Sequence, residues 1–149
     1  MDVTAIRTAL SNQITANVTG LRGHPQANDA VDPPCLVVLP GKPFAKYGAT
    51  LGGTAIFHGV PMATTEMMFS VLILVSIAPT ADRWQQNLDA YLGFGPSPEN
   101  SVPWALALDP SLGGVVDYAI PIQVSQYGLI DYAGQQYAGA HLEVQVVAD

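Results

Sequence analysis

The sequence predicts an α+β fold: a single domain over residues 1–149, in which helices pack on one face of a mixed, mostly antiparallel β-sheet. Two observations predict it. Apolar residues recur every three or four positions in some segments, as in amphipathic helices. In other segments they alternate, or form short unbroken runs bounded by proline and glycine, as in strands. Helices in two groups among mostly adjacent strands are typical of a helix layer on one face of a sheet.

Three segments are predicted to be helices. Each combines an apolar stripe with residues that favour helix ends: a short polar side chain before the first turn, and glycine or proline after the last. The predicted helices are residues 3–18 between Asp2 and Gly20, residues 81–92 between Thr80 and Gly93, and a short helix from Ser101 to about Leu108, stopped by Asp109-Pro110.

The remaining apolar segments are predicted to be strands. Met67–Ile77 is nearly continuous in apolar residues, which indicates a central strand covered on both faces. Val116–Val124 alternates, and Pro121 within it indicates that one side of this strand lacks a full ladder. The other predicted strands are Leu21-Arg22, Cys35–Leu39, Leu129–Tyr132 and Gln135–Val147, the last two forming a hairpin around Ala133-Gly134.

Residues 40–65 have the composition of a long loop, with five glycines and three prolines. Within them, residues 54–58 are predicted to be one arm of a hairpin that turns near Gly59. A loop this long in a compact domain is usually functional or disordered. We therefore predict that it is a contact arm, with these candidate interface residues: Ile56, Phe57, His58 and Met62.

The charge composition favours association with other subunits. Only 11% of residues are charged, whereas a monomer usually carries about a quarter. Residues 1–83 contain five acids and all five bases, and residues 84–149 contain seven acids and no Lys or Arg, so the net charge of −7 falls entirely in the second part. Ordinary nucleic-acid binding needs Lys and Arg to replace phosphate counterions, so a DNA-binding surface is not expected there.

The residues that could carry enzyme chemistry are scattered. His24 and His58 are expected in loops and His141 on a solvent-facing strand position, whereas zinc needs three or four ligands together. Cys35 lies in an apolar run. Apolar surroundings would raise the pKa of its thiol and so reduce its reactivity as a nucleophile. We expect no enzyme activity and no catalytic, cofactor-binding or metal-binding residues. The alternative, a small enzyme or ligand-binding domain, predicts a pocket with convergent polar groups.

Membrane association is not expected from the sequence. The first ten residues lack the basic start and apolar run of a signal peptide. The longest apolar run, residues 67–78, is too short to span a bilayer as a helix. The sequence therefore predicts a soluble protein made in a cytoplasm.

Several segments, taken in order, carry a family resemblance. They are the opening MDVTAIRTALSNQI with Gly20-Leu21-Arg22, Asp32-Pro33-Pro34 before Cys35–Leu39, residues 82–92, Ser101-Val102, Asp109-Pro110-Ser111-Leu112-Gly113-Gly114, and Tyr137-x-Gly139-Ala140. In this order and spacing the chain resembles the tail-terminator family of siphovirus-type, long-tailed bacteriophages, particularly those of actinobacterial hosts. Residues 51–65 depart from the family pattern.

The resemblance implies a structural virion protein. Members of this family form a ring, expected here to contain six copies, that caps the tail tube, ends polymerisation of the major tail tube protein and faces the head-side connector or stopper protein. The expected location is the neck-proximal end of the virion tail, after assembly in the host cytoplasm. No active site is implied. The alternative is another ring protein of the head–tail junction: a stopper, an adaptor or a tube subunit.

The acidic second half of the chain adds a hypothesis about DNA. Like charges repel, so acidic side chains lining a ring would let DNA pass through the lumen without specific binding. This hypothesis requires the acids to face the lumen and not only the outer rim of the ring.

Overall fold

The computed structural model describes residues 2–47, 56–57, 60–61, 65–77 and 81–148. Within them, three helices lie against one face of a five-stranded sheet, as predicted for an α+β fold. In chain order the elements are α1 (Val3–Asn17), β1 (Arg22–His24), β2 (Cys35–Tyr47), β3 (Ile56–Phe57), β4 (Val60–Pro61), β5 (Thr65–Val75), α2 (Ala81–Leu92), α3 (Val102–Leu108), β6 (Tyr118–Tyr132) and β7 (Gln135–Ala148).

Helix α1 follows from its cap and its apolar stripe. The Asp2 carboxylate accepts hydrogen bonds from the backbone N–H groups of Thr4 and Ala5, at 2.9 and 3.3 Å, and so satisfies two donors of the first turn. One face of the helix is fully buried against the sheet. The buried apolar side chains of this face are Ile6, Leu10 and Ile14. The predicted helix and its N-cap are confirmed.

Helices α2 and α3 also begin and end close to the predicted residues. Leu88 and Leu92 of α2 are buried, and Gly93 after it has a φ of 83°, the left-handed conformation common at helix ends. The Ser101 hydroxyl accepts from the N–H of Trp104 at 3.3 Å and caps α3. Thr80, the predicted cap of α2, lies outside the described residues.

The sheet has the strand order β1-β2-β5-β7-β6, and only β1 and β2 pair in parallel. The sheet is therefore mixed and mostly antiparallel, as predicted. β5, predicted to be the central strand, is the middle strand of the five. Its alternate side chains from Met67 to Val75 join the helix-side core, while Leu72 and Leu74 belong to a second apolar cluster on the opposite face.

The boundary of β2 corrects a prediction. Residues from Pro40 onward were expected in a loop, but β2 continues to Tyr47, with a shift of register between Pro40 and Ala45. Prolines are tolerated here because β1 pairs only with Cys35–Val37, which leaves the rest of β2 at an edge of the sheet. Phe44 packs edge-on against Phe69, with ring centroids 5.3 Å apart, and this apolar contact helps to hold the irregular stretch in the sheet.

The predicted strands at 116–124 and 129–132 prove to be one strand, β6. Register shifts occur between Pro121 and Gln123 and between Val124 and Gln126. The sequence looked like two strands because residues 125–128 do not continue the apolar alternation of the segment before them. The predicted hairpin to β7 is confirmed, because Ala133 and Gly134 both have positive φ, 50° and 82°, as a two-residue type I′ turn requires.

The structure also describes the two short strands β3 and β4, and the first strand, β1. β3 pairs with β4 in a separate two-stranded sheet, which confirms hairpin pairing at Ile56 and Phe57, whereas the rest of the predicted arm and its turn lie outside the described residues. β1 begins at Arg22 and contains His24, which was expected in a loop. The pairing of Arg22–His24 with Cys35–Val37 explains the difference, since a strand of three residues has too short a pattern to detect in a sequence.

Candidate functional site

Strand β6 is a long edge of the sheet. It pairs with β7 on one side, and no strand among the described residues pairs with its other side. Pro121 fits this position, as predicted, because an edge strand needs a full ladder on one side only. An unpaired strand of this length offers backbone donors and acceptors to another chain.

Large apolar side chains are exposed along the same strand. The exposed fractions are 45% for Ile120, 50% for Ile122, 43% for Tyr127 and 56% for Leu129. Single exposed apolar residues are common on protein surfaces, but a run of them on an unpaired strand is typical of an interaction surface. We call β6 with these side chains the β6 edge.

Two hollows adjoin the β6 edge. A groove of about 580 Å³ is lined by consecutive residues of the strand, Ser125–Asp131. A second, mainly apolar hollow of about 330 Å³ lies where β6 meets the helix layer. Phe94, which is 64% exposed, lies at its mouth with Ile122. The first groove is lined in part by the polar residues Ser125, Gln126 and Asp131, so it fits contact with a polar or backbone surface, whereas the second fits contact with an apolar surface.

Tyr127 ties the β6 edge to helix α2. Its hydroxyl donates a hydrogen bond to the Asp89 carboxylate at 2.7 Å, and its ring lies 6.3 Å from the ring of Trp84. Burial, then the hydrogen bond to Asp89 and its charge, raises the pKa of Tyr127 to about 12. The hydroxyl therefore stays protonated and keeps donating throughout the physiological range.

The opposite edge of the sheet has a different chemistry. Beyond its pairing with β1, the outer side of β2 has no strand partner within the described part of the chain. This stretch carries exposed Lys42 and Lys46 together with exposed Pro40 and Pro43. Lysine and proline are residues that natural edge strands use against indiscriminate pairing. We call residues 40–46 the β2 edge.

We call the face of the sheet away from the helices the open face. A groove on this face is lined by both polar and apolar residues. Its volume is about 340 Å³ and it runs between β2, β5, β6 and β7. Ser70 Oγ and His141 Nδ1 are hydrogen-bonded at 2.7 Å across β5 and β7. Burial lowers the pKa of His141, and the nearby Glu143 charge opposes this shift. His141 was predicted to face solvent, but it is half-buried because Ser70 holds it against the sheet.

Among the described residues, Ser70 is the one hydrogen-bond partner seen for the His141 imidazole. In a triad, a third group holds the imidazole from its other side. Glu143, the nearest acid on the same strand, accepts a hydrogen bond from Gln123 at 2.5 Å. Ser70 is almost fully buried, which restricts access to its hydroxyl. The geometry fits cross-strand hydrogen bonding that satisfies polar groups on the open face.

A loop covers the other end of the open face. Residues 25–34 pass over the second apolar cluster, which contains Cys35, and the Tyr132 hydroxyl bonds the backbone N–H and C=O of Asn28 at 3.1 and 2.8 Å. Arg22 pairs with Asp32 at 2.8 Å. Burial beneath this loop raises the pKa of Cys35 to about 11, as the sequence predicted, so the thiol is protonated and unreactive at neutral pH.

The described acids of the second half differ in their hydrogen-bond partners. Asp109 accepts hydrogen bonds from the Ser111 N–H and hydroxyl and from the Gly113 N–H, and these bonds lower its pKa. It organises the turn after α3. Asp89 is engaged by Tyr127, whereas Asp117 and Asp131 are exposed at the two ends of β6. Asp89 and Asp109 are therefore held by hydrogen bonds within the chain.

The predicted contact arm is only partly described. Ile56 and Phe57 form β3, while His58 and Met62 lie outside the described residues. The structure therefore does not test the predicted interface residues. The β6 edge was missed as a surface, although its alternation was visible in the sequence, because a pattern of two faces does not show which face is covered.

Nowhere in residues 2–47, 65–77 or 81–148 do three His, Cys, Asp or Glu side chains come together as metal ligands would. Among the helices that the structure describes, none has the length and apolar content needed to cross a membrane. A search against protein families and curated proteins found no match for the chain.

Proposed function

We propose that the chain is a structural virion protein, a tail terminator that forms a ring at the end of a phage tail tube. The observation that carries the proposal is the β6 edge: a strand of fifteen residues that pairs with another described strand on one side only and has four large exposed apolar side chains. Leaving such an edge open invites pairing with other chains, so its retention favours a partner.

The two sheet edges support a ring over a simple dimer. A two-fold dimer uses the same surface on both copies, whereas a closed ring uses two different surfaces that meet head to tail. Here the two edges differ: the β6 edge is apolar with acidic ends, and the β2 edge is basic and rich in proline. They lie at opposite ends of the described sheet, where each copy can contact two neighbours.

The sequence resemblance supports the particular role. It favours a ring of six copies that ends polymerisation of the major tail tube protein and presents its other face to the head-side connector or stopper. The corresponding location is the neck-proximal end of the tail, with assembly in the host cytoplasm. In this role the chain needs no catalytic residue, cofactor or metal, and the DNA passes through the lumen without specific binding.

Capping of tail tubes tests the role directly. Purified chain is added to tubes polymerised from the major tail tube protein, and the products are imaged by electron microscopy. We expect a ring near six times the 15.7 kDa chain mass at one end of each tube, and no further elongation from that end. Tubes that elongate normally, with no added density at either end, would contradict the proposal.

The same experiment separates the alternative. A stopper or adaptor would leave the tubes uncapped and bind the connector, whereas a tube subunit would extend the tubes. Light scattering over a range of concentrations reports whether the ring also forms alone. A monomer in solution would still be compatible with a ring that forms on the tube end.

A further inference from the structure

The ladder places particular residues of the two sheet edges in the same cross-strand rows. One row crosses the sheet from β2 to β6. Its paired residues are Lys46 of β2, Glu66 of β5, Val147 of β7 and Tyr118 of β6, and Asp117 precedes Tyr118 in the chain. The exposed base Lys46 therefore lies at one end of this row and the exposed acid Asp117 lies beside its other end. Opposite charges thus occur at the same level of the two edges.

A second row carries apolar residues at both ends. Pro40 pairs with Phe69, Phe69 with Val144, and Val144 with Pro121. Between the two rows, Ile120 at one edge is level with the irregular stretch 41–44 of β2 at the other. A neighbour that continued the sheet in these rows would bring Pro121 and Ile120 against proline-rich β2, and Asp117 towards Lys46.

We propose that the β6 edge, from Asp117 to Ile122, docks on the β2 edge, residues 40–46, of a second copy of this chain. The strand directions agree with this arrangement, since every pair from β2 to β6 is antiparallel and β6 would again be antiparallel to the neighbour's β2. The proposal rests on the ring proposed above and identifies its lateral contact.

The charges on the two edges favour pairing of β6 with the β2 edge of a neighbour over pairing of β6 with a second β6. Antiparallel pairing of β6 with its own copy would bring Asp117 and Asp131, at opposite ends of the strand, close to each other in both chains. Like charges placed across an interface cost free energy, whereas the β2 edge offers Lys42 and Lys46. All five bases of the chain lie in residues 1–83, so the second copy supplies what residues 84–149 lack.

The contact is made mainly by side chains and not by a continuous ladder. Pro40, Pro43 and Pro121 have no N–H to donate, and the N–H of Ala119 already donates to the Pro110 carbonyl at 2.7 Å. Apolar contacts of Ile120 and Ile122 with the prolines of the neighbour's β2 edge then contribute most of the binding free energy. The Asp117–Lys46 pair sets the register between the two edges.

Cysteine cross-linking tests the contact with the full chain. D117C and K46C are made as separate variants and mixed under mild oxidation. The native Cys35 is buried and its pKa is about 11, so it does not compete. We expect a cross-linked dimer at least tenfold more abundant in the mixture than in either variant alone. E99C, which places the thiol at another exposed acid, mixed with K46C, is the matched control.

Charge reversal gives an independent readout. We expect D117K or K46D alone to raise the concentration needed for half-assembly about threefold to tenfold, and the D117K/K46D double variant to restore it. E99K should leave it unchanged.

Two results would overturn the proposed contact. One is cross-linking of D117C with itself as efficient as in the mixture. The other is rings that assemble, in solution or on tube ends, while the D117C and K46C mixture does not cross-link. Neither result decides whether the chain caps a tail tube, which the tube assay reports separately.

Discussion

The two faces of the sheet differ in what covers them along its whole length. On the helix side, alternate residues of β5 from Met67 to Val75 are buried under α1, α2 and α3. On the open face, only Leu72 and Leu74 are buried apolar residues of this strand, and Ser70, Met68 and Glu66 follow towards the other end. One face therefore supplies most of the folding free energy, and the other has room for polar contacts and for neighbours.

The largest expected effect is on the helix side. Phe69→Ala removes a fully buried ring that packs against Phe44, and should lower the free energy of unfolding by about 3–5 kcal/mol. The measurement is urea denaturation followed by circular dichroism. Ser70→Ala, at the adjacent residue on the open face, is the matched control and should cost no more than about 1–3 kcal/mol. Equal losses would contradict the difference between the two faces.

A smaller effect is expected where the loop of residues 25–34 covers the open face. Tyr132→Phe removes the hydroxyl that bonds both the N–H and the C=O of Asn28, and should cost about 0.5–1.5 kcal/mol. Hydrogen exchange should increase in the loop but not in α1. Tyr137→Phe, whose hydroxyl bonds only the exposed side chain of Gln135, should cost less. A Tyr132→Phe variant with unchanged exchange would show that the loop is held by other contacts.

The pH dependence of stability should report the half-buried imidazole on the open face. Burial lowers the folded-state pKa of His141 below its usual 6.5, so its neutral form is favoured in the folded chain. The stability it contributes is present above pH 6.5 and is lost as the pH falls through the lowered value. Unfolding measured from pH 7.5 to 4.5 should show this loss, and His141→Gln should reduce it. Asp109, whose pKa is also lowered, contributes stability that is present above its usual pKa of 3.8 and is lost only below that pH, so it does not change within this range.

The smallest effect on stability is expected at the β6 edge. Ile122→Ser changes a half-exposed side chain, so the free energy of unfolding should move by no more than about 0.5 kcal/mol. Self-association should nevertheless weaken, as sedimentation or light scattering would show. Leu108→Ser, at an equally exposed position at the end of α3, provides the control and should leave association intact. A large loss of stability in Ile122→Ser would mean that this residue belongs to the core.

Patterns among neighbouring residues were sufficient to predict much of the fold, but they predicted little of the candidate site. The capping residues Asp2 and Ser101, and the turn Ala133-Gly134, act within a few residues of sequence, and each was predicted correctly. The extension of β2 through Pro40 and Pro43 was not predicted, because a proline breaks a strand only where the partner strand needs its N–H.

The sequence by itself determined the fold class, the helix boundaries and the central position of β5, since these depend on the spacing of apolar residues and on local capping chemistry. Tertiary structure alone decided that β6 is an edge strand of the described sheet, that Ile120 and Ile122 are exposed and that Ser70 contacts His141. The physical reason is that exposure depends on which distant strands and helices pack alongside, and a period of two specifies two faces of a strand without specifying which one is covered.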